Sequence, residues 1–253
     1  HVQGEDAEVK PHQLAVPQHQ SEAADGARHG RRRRHHEQHQ PDGGQRKQPS
    51  EPEDAGEADG GSTDGTPQLA RPLANLVLSS PKGRARQMNA GAAKARGEVL
   101  LFLHADTRLP EGADALVLEA VAQGAAWGRF DVRIEGRAAL LRLVAASMNL
   151  RSRCSGIATG DQAIFVRADC FRHIGGYPDQ PLMEDIELSR RLKRAAGSPL
   201  CLRQRVITSA RRWERHGPWR TVFAMWRWRF AYWRGVSPAN LAAEYGAGRA
   251  PSS

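Results

Sequence analysis

Apolar residues are distributed very unevenly along this chain of 253 residues. Residues 1–58 contain no Phe, Trp or Tyr but hold seven of the ten histidines. Their strongly apolar residues are only four, namely Val2, Val9, Leu14 and Val16. A segment of this composition cannot bury enough apolar surface to offset the conformational entropy that folding removes. The sequence therefore predicts that residues 1–58 are disordered.

From residue 59 onward, short apolar runs alternate with amphipathic stretches, which is typical of an α/β domain. The run at residues 99–103 has no polar member and predicts a central strand covered on both faces. Other strands are predicted at about 76–78, 127–134 and 163–166, and helices at about 84–96, 112–122, 137–149 and 183–196. The predicted organisation is an α/β domain at 59–210, an amphipathic helical segment at 211–246 and a disordered tail at 247–253.

The composition also bears on the partners and the location of the protein. The net charge of +9 is compatible with nucleic-acid binding, but no helix-turn-helix, zinc-finger or RNA-recognition pattern is present. Three cysteines without C-x-x-C spacing indicate a reducing compartment and no zinc site. No run approaches the ~20 apolar residues of a membrane span. We expect no specific nucleic-acid partner and a cytoplasmic protein, with a peripheral position at the inner face of the plasma membrane as an alternative.

Four motifs follow one another in a fixed order after residue 58. They are Asp-Gly-Gly-Ser-x-Asp-Gly-Thr at 59–66, Gly-Arg-Ala-Arg-Gln-Met-Asn-Ala-Gly at 83–91, Phe-Leu-His-Ala-Asp-Thr at 102–107 and Gly-Gly-Tyr-Pro-x-x-x-Leu-Met-Glu-Asp-Ile-Glu-Leu at 175–188. The first motif alone is weak evidence, because ordinary turns have the same composition. The ordered combination is far more specific than any single member.

This series resembles the family 2 glycosyltransferases of GT-A fold. It is most similar to a small bacterial subgroup of transferases associated with radical-SAM and selenium-type genes, whose relatives include carotenoid-acid glucosyltransferases. The resemblance covers residues 59–246 and implies a nucleotide-diphospho-sugar transferase sheet flanked by helices. It also implies that Asp59 contacts the nucleoside and that Arg84, Gln87 and Asn89 form part of the donor cleft.

His104-Ala105-Asp106 occupies the place of the family's Asp-x-Asp metal motif, with His in place of the first acid. Asp106 keeps the hard oxygen ligand that Mg²⁺ or Mn²⁺ prefers, whereas an imidazole at residue 104 suits Mn²⁺ better than Mg²⁺. The resemblance therefore implies Mn²⁺ or Mg²⁺ as a cofactor. The alternative for His104 is a histidine at the end of a strand that bonds to the backbone.

Transfer of a sugar requires a base that takes the proton of the acceptor hydroxyl. The resemblance gives this role to Asp185 and makes Glu184 an orienting residue. Carboxylates at this position also suit a helix N-terminus, and both interpretations can hold together. Asp161 and Gln162, which follow Gly160, are predicted to contact the acceptor or a sugar hydroxyl, although Asp161 could also cap its loop.

Aromatic residues recur at helical spacing near the C-terminal end: Trp219, Phe223, Trp226, Phe230 and Trp233. Arg220, Arg227 and Arg234 fall on a different face. This pattern is typical of a basic amphipathic helix at a membrane surface. The alternative is that the aromatic stripe packs on the rest of the protein.

The chain departs from the family pattern at its N-terminal end. Family members normally begin with a strand that ends near a Pro-x-x-Asn-Glu turn, and a second apolar strand leads into the Asp-Gly-Gly-Ser loop. Neither is recognisable in residues 1–58. We expect a sheet that lacks its first strands, and we hypothesise that this segment is translated out of frame or belongs to a misassigned gene start.

These inferences predict a metal-assisted, inverting glycosyltransferase that uses a nucleotide-diphospho-sugar donor. The acceptor would be a hydroxyl or carboxyl of a lipid-like or small molecule. One alternative is a catalytically inactive protein that binds a membrane surface. Another is a nucleotidyltransferase that makes sugar nucleotides, although such an enzyme requires a glycine-rich phosphate loop with Lys or Arg, which the sequence lacks.

Overall fold

The structure is a computed structural model that describes residues 11–16, 54–63, 65–136, 138–211, 213 and 217–247. Within these residues, one mixed sheet of eight strands forms the centre of the molecule. The strands are β1 Pro11–Val16, β2 Asp54–Asp59, β3 Leu76–Ser79, β4 Val99–His104, β5 Thr107–Arg108, β6 Trp127–Ile134, β7 Ile164–Arg167 and β8 Leu200–Thr208.

The order of strands across the sheet is β3-β2-β1-β4-β7-β6-β8-β5. The pairs β2 with β3 and β6 with β8 are parallel, and the other neighbouring pairs are antiparallel. The helices are α1 Thr66–Ala70, α2 Arg84–Lys94, α3 Ala113–Ala122, α4 Ala139–Ser155, α5 Ala168–His173, α6 Glu184–Ala196, α7 Pro218–Trp233 and α8 Pro238–Ala247. A short 3₁₀ turn spans Gly160–Gln162.

Strand β4 is buried along its whole length, because helices cover both faces of the sheet there. Its odd-numbered side chains, such as Leu101, join a core cluster with residues of α3 and α4. Its even-numbered side chains, Leu100 and Phe102, join a second cluster with residues of α2, α5 and α6. The predicted mixed α/β sheet flanked by helices is confirmed, as is a central strand without polar alternation.

Two stretches of the segment predicted to be disordered form strands in this sheet. β1 pairs with β4 over six residues, and β2 pairs with both β1 and β3. Backbone hydrogen bonding does not require apolar side chains, and pairing with β1 satisfies the edge of β4 that β7 leaves open. Residues 11–16 and 54–58 therefore differ from the prediction of disorder. The rest of residues 1–53 lies outside the described residues, so the missing first strands and the out-of-frame origin stay predictions.

The C-terminal segment contains two helices, α7 and α8, and the predicted aromatic stripe lies on α7. The predicted disordered tail lies outside the described residues beyond residue 247. Strand β8 was not predicted, since its polar residues at 203–205 are exposed and break the apolar pattern. No helix in the described part of the chain is both long enough and apolar enough to cross a bilayer.

Candidate active site

An open cleft lies at the carboxyl end of β4, between the 3₁₀ turn, the N-terminus of α6 and the helices α7 and α8. Open α/β sheets commonly bind ligands at the carboxyl ends of their strands. The charged and ionisable residues that line the cleft are Arg84, His104, Asp161, Asp185, Arg229 and Tyr245. The apolar part of the lining comes from Leu182, Met183, Ile186, Met225 and Trp228.

Asp185 is fixed at the start of α6 by two backbone hydrogen bonds. Its Oδ1 accepts from the backbone N–H of Ile186 at 2.8 Å, and its Oδ2 accepts from the N–H of Gly160 at 3.1 Å. The carboxylate also lies in the first turn of the helix, where the dipole favours a negative charge. The position at a helix N-terminus and the position in the cleft, which the sequence left as compatible interpretations, thus occur together.

Glu184 lies behind the cleft and is almost completely buried. Its Oε1 accepts a hydrogen bond from Nε of Arg84 at 2.9 Å, in an ion pair between α2 and α6. Burial raises the pKa of Glu184, and the positive charge of Arg84 opposes that shift. Glu184 is therefore placed to hold Arg84 rather than to contact a ligand in the cleft.

Arg84 keeps 34% of its side chain exposed and supplies a positive charge to the cleft. Burial alone would lower the pKa of Arg84, but the negative charges of Glu184 and Asp185 outweigh burial and raise it. The guanidinium is therefore always charged. A fixed guanidinium is well suited to bind phosphate or carboxylate oxygens.

His104 pairs with Asp161 at the edge of the cleft. Its Nδ1 lies 3.3 Å from Oδ1 of Asp161. Its Nε2 packs against Gly160 so closely that a Cβ added to that glycine would come within 2.1 Å of Nε2. The imidazole is thus partnered by a carboxylate, which differs from the bond to the backbone that the sequence analysis considered. Nδ1 therefore faces a carboxylate, and Nε2 lies against the backbone of the 3₁₀ turn.

Asp106 follows β4 and is half-buried. Its carbonyl oxygen accepts from the N–H of Ser209 at 3.1 Å, and Thr107 Oγ1 lies 3.5 Å from its Oδ1. Asp106 is not among the residues that line the cleft. Over the residues that the structure describes, no group of three His, Cys, Asp or Glu side chains is arranged to hold a metal ion.

Asp59, which was predicted to contact the nucleoside, is bonded within its own loop. Its Oδ2 accepts from the N–H groups of Gly61 and Ser62, each at 2.9 Å, and its Oδ1 accepts from the hydroxyl of Ser62 at 2.5 Å. These bonds close the turn that begins after β2. The predicted contact with the nucleoside stays a prediction, and the bonds that the structure contains shape the loop.

Three further predicted residues also bond to the protein itself. Gln87 donates to the carbonyl of Ala58 at 2.9 Å and joins α2 to β2. Asn89 accepts from the N–H of Tyr177 at 2.9 Å and donates to its carbonyl at 2.8 Å, which fixes the turn before α6. Gln162 is fully buried and accepts from the N–H of Thr159 at 3.2 Å. None of the three is among the residues lining the cleft, so their predicted roles in binding stay untested.

Sequence patterns missed several residues near the site. Arg151 on α4 interacts electrostatically with Asp185 and Asp161, although burial lowers its pKa more than these charges raise it. Its Nη2 is buried and has no hydrogen-bond partner among the described residues. Arg229 of α7 also lines the cleft. No motif marks either arginine, because only the folded chain brings them to the site.

Residues 57–173 match the family model for Glycosyl transferase family 2. This stretch contains Asp59, Arg84, His104, Asp106 and Asp161, and it ends before α6. The match runs from β2 to the end of α5 and includes β4, at whose carboxyl end the cleft lies. The finer subgroup that the sequence resembles stays a prediction.

Three solved structures are similar to part of the chain. Staphylococcus aureus TarS 1-349 has a TM-score of 0.49 and 18% identity, with coverage of 60% of this chain and 50% of that chain. A second S. aureus TarS structure has a TM-score of 0.47, 19% identity and coverage of 60% and 30%. A mycobacterial protein has a TM-score of 0.38, 18% identity and coverage of 60% and 53%. The chain thus spans about half or less of the length of these structures. No curated protein matches it.

Proposed function

We propose that this protein transfers a sugar from a nucleotide-diphosphate donor to a hydroxyl or carboxyl of a lipid-like or small acceptor, with inversion at the anomeric carbon. The observation that carries the proposal is the position of Asp185. Its carboxylate is held by two backbone N–H groups in the same cleft as the cation of Arg84. A fixed base beside a fixed cation suits a reaction in which a proton is removed while a diphosphate departs.

In the proposed reaction, the acceptor oxygen bonds to the anomeric carbon as the bond from that carbon to the diphosphate oxygen breaks. With a hydroxyl acceptor, Asp185 takes the proton of the acceptor oxygen, whereas a carboxyl acceptor reacts as its carboxylate and needs no base. In both cases the negative charge leaves with the nucleoside diphosphate. Arg84, oriented by Glu184 through the 2.9 Å ion pair, would bind the departing phosphate oxygens. Arg229 of α7 offers a second guanidinium in the cleft. One base acting in a single displacement gives inversion.

A divalent cation, Mn²⁺ or Mg²⁺, is part of this proposal. Such ions are commonly held by one or two carboxylates together with the phosphates of the substrate, so a complete protein cage is not required. Asp106, a half-buried carboxylate at the end of β4 and outside the lining of the cleft, would be the protein's carboxylate in that mode of binding. His104 fits it less well, because its Nδ1 is already paired with Asp161. The cation would neutralise charge on the diphosphate.

The first test is calorimetric binding of a panel of nucleotide-diphospho-sugars, with and without Mn²⁺. We expect at least one donor to bind in a Mn²⁺-dependent manner. Asp106→Asn should abolish that dependence, because it removes the main anionic ligand. Asp114→Asn, an exposed aspartate in the first turn of α3, is the matched control and should bind like the wild type. Equal Mn²⁺ dependence in Asp106→Asn and the control would contradict the metal assignment.

A second candidate function is a catalytically inactive protein that binds a membrane surface. The observation that favours it is the exposed aromatic side of α7. Such a surface could bind a membrane whether or not the protein catalyses a reaction. The two functions differ in whether the protein binds and consumes a nucleotide-sugar donor. Turnover of any nucleotide sugar excludes the inactive protein, whereas membrane binding without donor binding would favour it.

A further inference from the structure

The outer side of α7 carries five large aromatic side chains, Trp219, Phe223, Trp226, Phe230 and Trp233, which we call the aromatic face. Each is between 58% and 74% exposed. The alternative in which this stripe packs on the rest of the protein is therefore wrong for the described chain. Aromatic side chains of this size expose on the order of 100 Å² each at such fractions. The sum, about 500 Å², falls in the upper part of the range for the largest apolar patch on a monomer, and patches of that size are often functional.

The charge of α7 favours one kind of partner. The helix contains no Asp or Glu. Arg220, Arg227 and Arg234 are exposed beside the aromatic face. Arg227 pairs with Glu244 of α8 at 2.9 Å, and the guanidinium of Arg234 lies 5.9 Å from the ring centroid of Phe230. Exposed aromatic side chains flanked by arginines suit the boundary between headgroups and acyl chains in an anionic bilayer.

The inner side of the same helix belongs to the cleft. Met225, Trp228 and Arg229 line it. Trp228 also packs edge-on against Tyr245 of α8, with ring centroids 5.1 Å apart. The aromatic face and the cleft are thus on opposite sides of one helix, whose diameter with side chains is about 10–12 Å.

We propose that the aromatic face docks on an anionic lipid bilayer and that the acceptor is an amphiphile of that bilayer, with its hydroxyl or carboxyl at the headgroup. A helix lying in the interface buries its apolar side about 5–10 Å deep, which places its opposite side among or just above the headgroups. The reacting group of a lipid can then enter the cleft while its chains stay in the bilayer. The docking rests on α7 alone, whereas the identity of the acceptor rests on the proposed function.

A second copy of the chain is a less suitable occupant of this face. A symmetric dimer through α7 would bring the arginines of the two copies together, because an isologous interface pairs each patch with itself. Anionic headgroups instead neutralise Arg220 and Arg234. The charge pattern therefore favours a lipid surface.

The test is co-sedimentation of the full chain with vesicles of phosphatidylglycerol and phosphatidylcholine, compared with phosphatidylcholine alone. We expect binding that requires the anionic lipid. Trp226→Ser/Phe230→Ser should weaken it at least tenfold, because both side chains leave water on docking. Arg220→Gln/Arg234→Gln should weaken it about fivefold for each arginine removed. Leu69→Ser/Leu73→Ser, which replaces two exposed leucines outside α7, is the matched control and should bind like the wild type.

Two further readouts separate the possible outcomes. Vesicles with brominated acyl chains should quench part of the tryptophan fluorescence, and the buried Trp127 and Trp213 should supply an unquenched background. In the absence of vesicles, Trp226→Ser/Phe230→Ser should consume the nucleotide-sugar donor at the wild-type rate. In the presence of vesicles, the same variant should transfer less sugar to the vesicle lipid than the wild type does. Absence of vesicle binding, equal loss in the leucine control, or a wild-type dimer that Trp226→Ser/Phe230→Ser dissociates would overturn the docking. Vesicle binding without turnover of any donor would leave docking intact and reject the proposed function with its acceptor.

Discussion

At the scale of single residues, the site is organised by acids with different environments. Glu184 is buried and paired with Arg84, whereas the neighbouring Asp185 lies in the cleft with backbone N–H groups on both oxygens. The side chains of adjacent residues at the start of a helix point in different directions, so the two carboxylates can have different roles. Glu184 positions a cation, and Asp185 is free to meet a substrate.

The buried position of Glu184 predicts a pH dependence of stability. Because burial raises its pKa, the folded protein holds a proton that the unfolded chain releases near its ordinary pKa of about 4.3. The stability from this proton is fully present below the unfolded pKa and is lost as pH rises through the folded pKa. Glu184→Gln lacks this component. In urea denaturation between pH 4 and pH 7, the stability of the wild type should therefore fall relative to that of Glu184→Gln.

The control for this experiment is Glu187→Gln on the same helix, whose weaker ion pairs span 3.6 and 3.8 Å. It removes one carboxylate from α6 without touching the pair with Arg84. If the stabilities of Glu184→Gln and Glu187→Gln change with pH in the same way, Glu184 does not have the buried environment described above.

At the scale of elements, the 3₁₀ turn Gly160–Gln162 joins the parts of the site. The N–H of Gly160 donates to Asp185, and Asp161 pairs with His104. A sequence pattern cannot show this junction, because the three participating elements are far apart along the chain. The pattern did locate β4 and α6, since polar groups follow β4 and acids open α6.

The close approach at Gly160 predicts a strong effect of one added methyl group. Gly160→Ala should lower stability by about 1–3 kcal/mol, the range for overpacking, because its Cβ would meet His104 Nε2 at 2.1 Å. Gly56→Ala is the control, since its Cβ would have only Leu76 O nearby, at 3.8 Å. Urea midpoints of both variants give the comparison. Equal stability of Gly160→Ala and the wild type would mean that the turn and His104 are not packed as described.

At the scale of the whole molecule, periodicity predicted the elements that have a clear apolar pattern and missed several of those that have none. The run at 99–103 and the stretch at 184–196 were predicted nearly to their ends, because each has a clear apolar pattern. Strands β1 and β8 were missed, since their place in the sheet comes from backbone pairing with neighbours. The aromatic stripe on α7 was predicted, and the sequence left open whether it is exposed or packed on the protein, because spacing alone does not say what covers a face.

The candidate site was predictable to a similar extent. Four of the predicted residues, Arg84, His104, Asp161 and Asp185, line one cleft. Gln87, Asn89 and Gln162 instead form hydrogen bonds inside the protein, which a resemblance of motifs cannot distinguish from ligand contacts. Arg151 was missed because its neighbours are set by the packing of α4 and not by a local motif.

The most direct test of the proposed function is the transfer rate of Asp185→Asn, measured alongside its affinity for the donor. We expect donor affinity close to that of the wild type and transfer slower by about 10²–10⁴-fold, the loss expected when a positioned general base is removed. Asp179→Asn, an exposed aspartate paired with Arg86 before the same helix, is the control and should transfer like the wild type. Transfer by Asp185→Asn at the wild-type rate, with the same donor affinity, would contradict the assignment of Asp185 as the base.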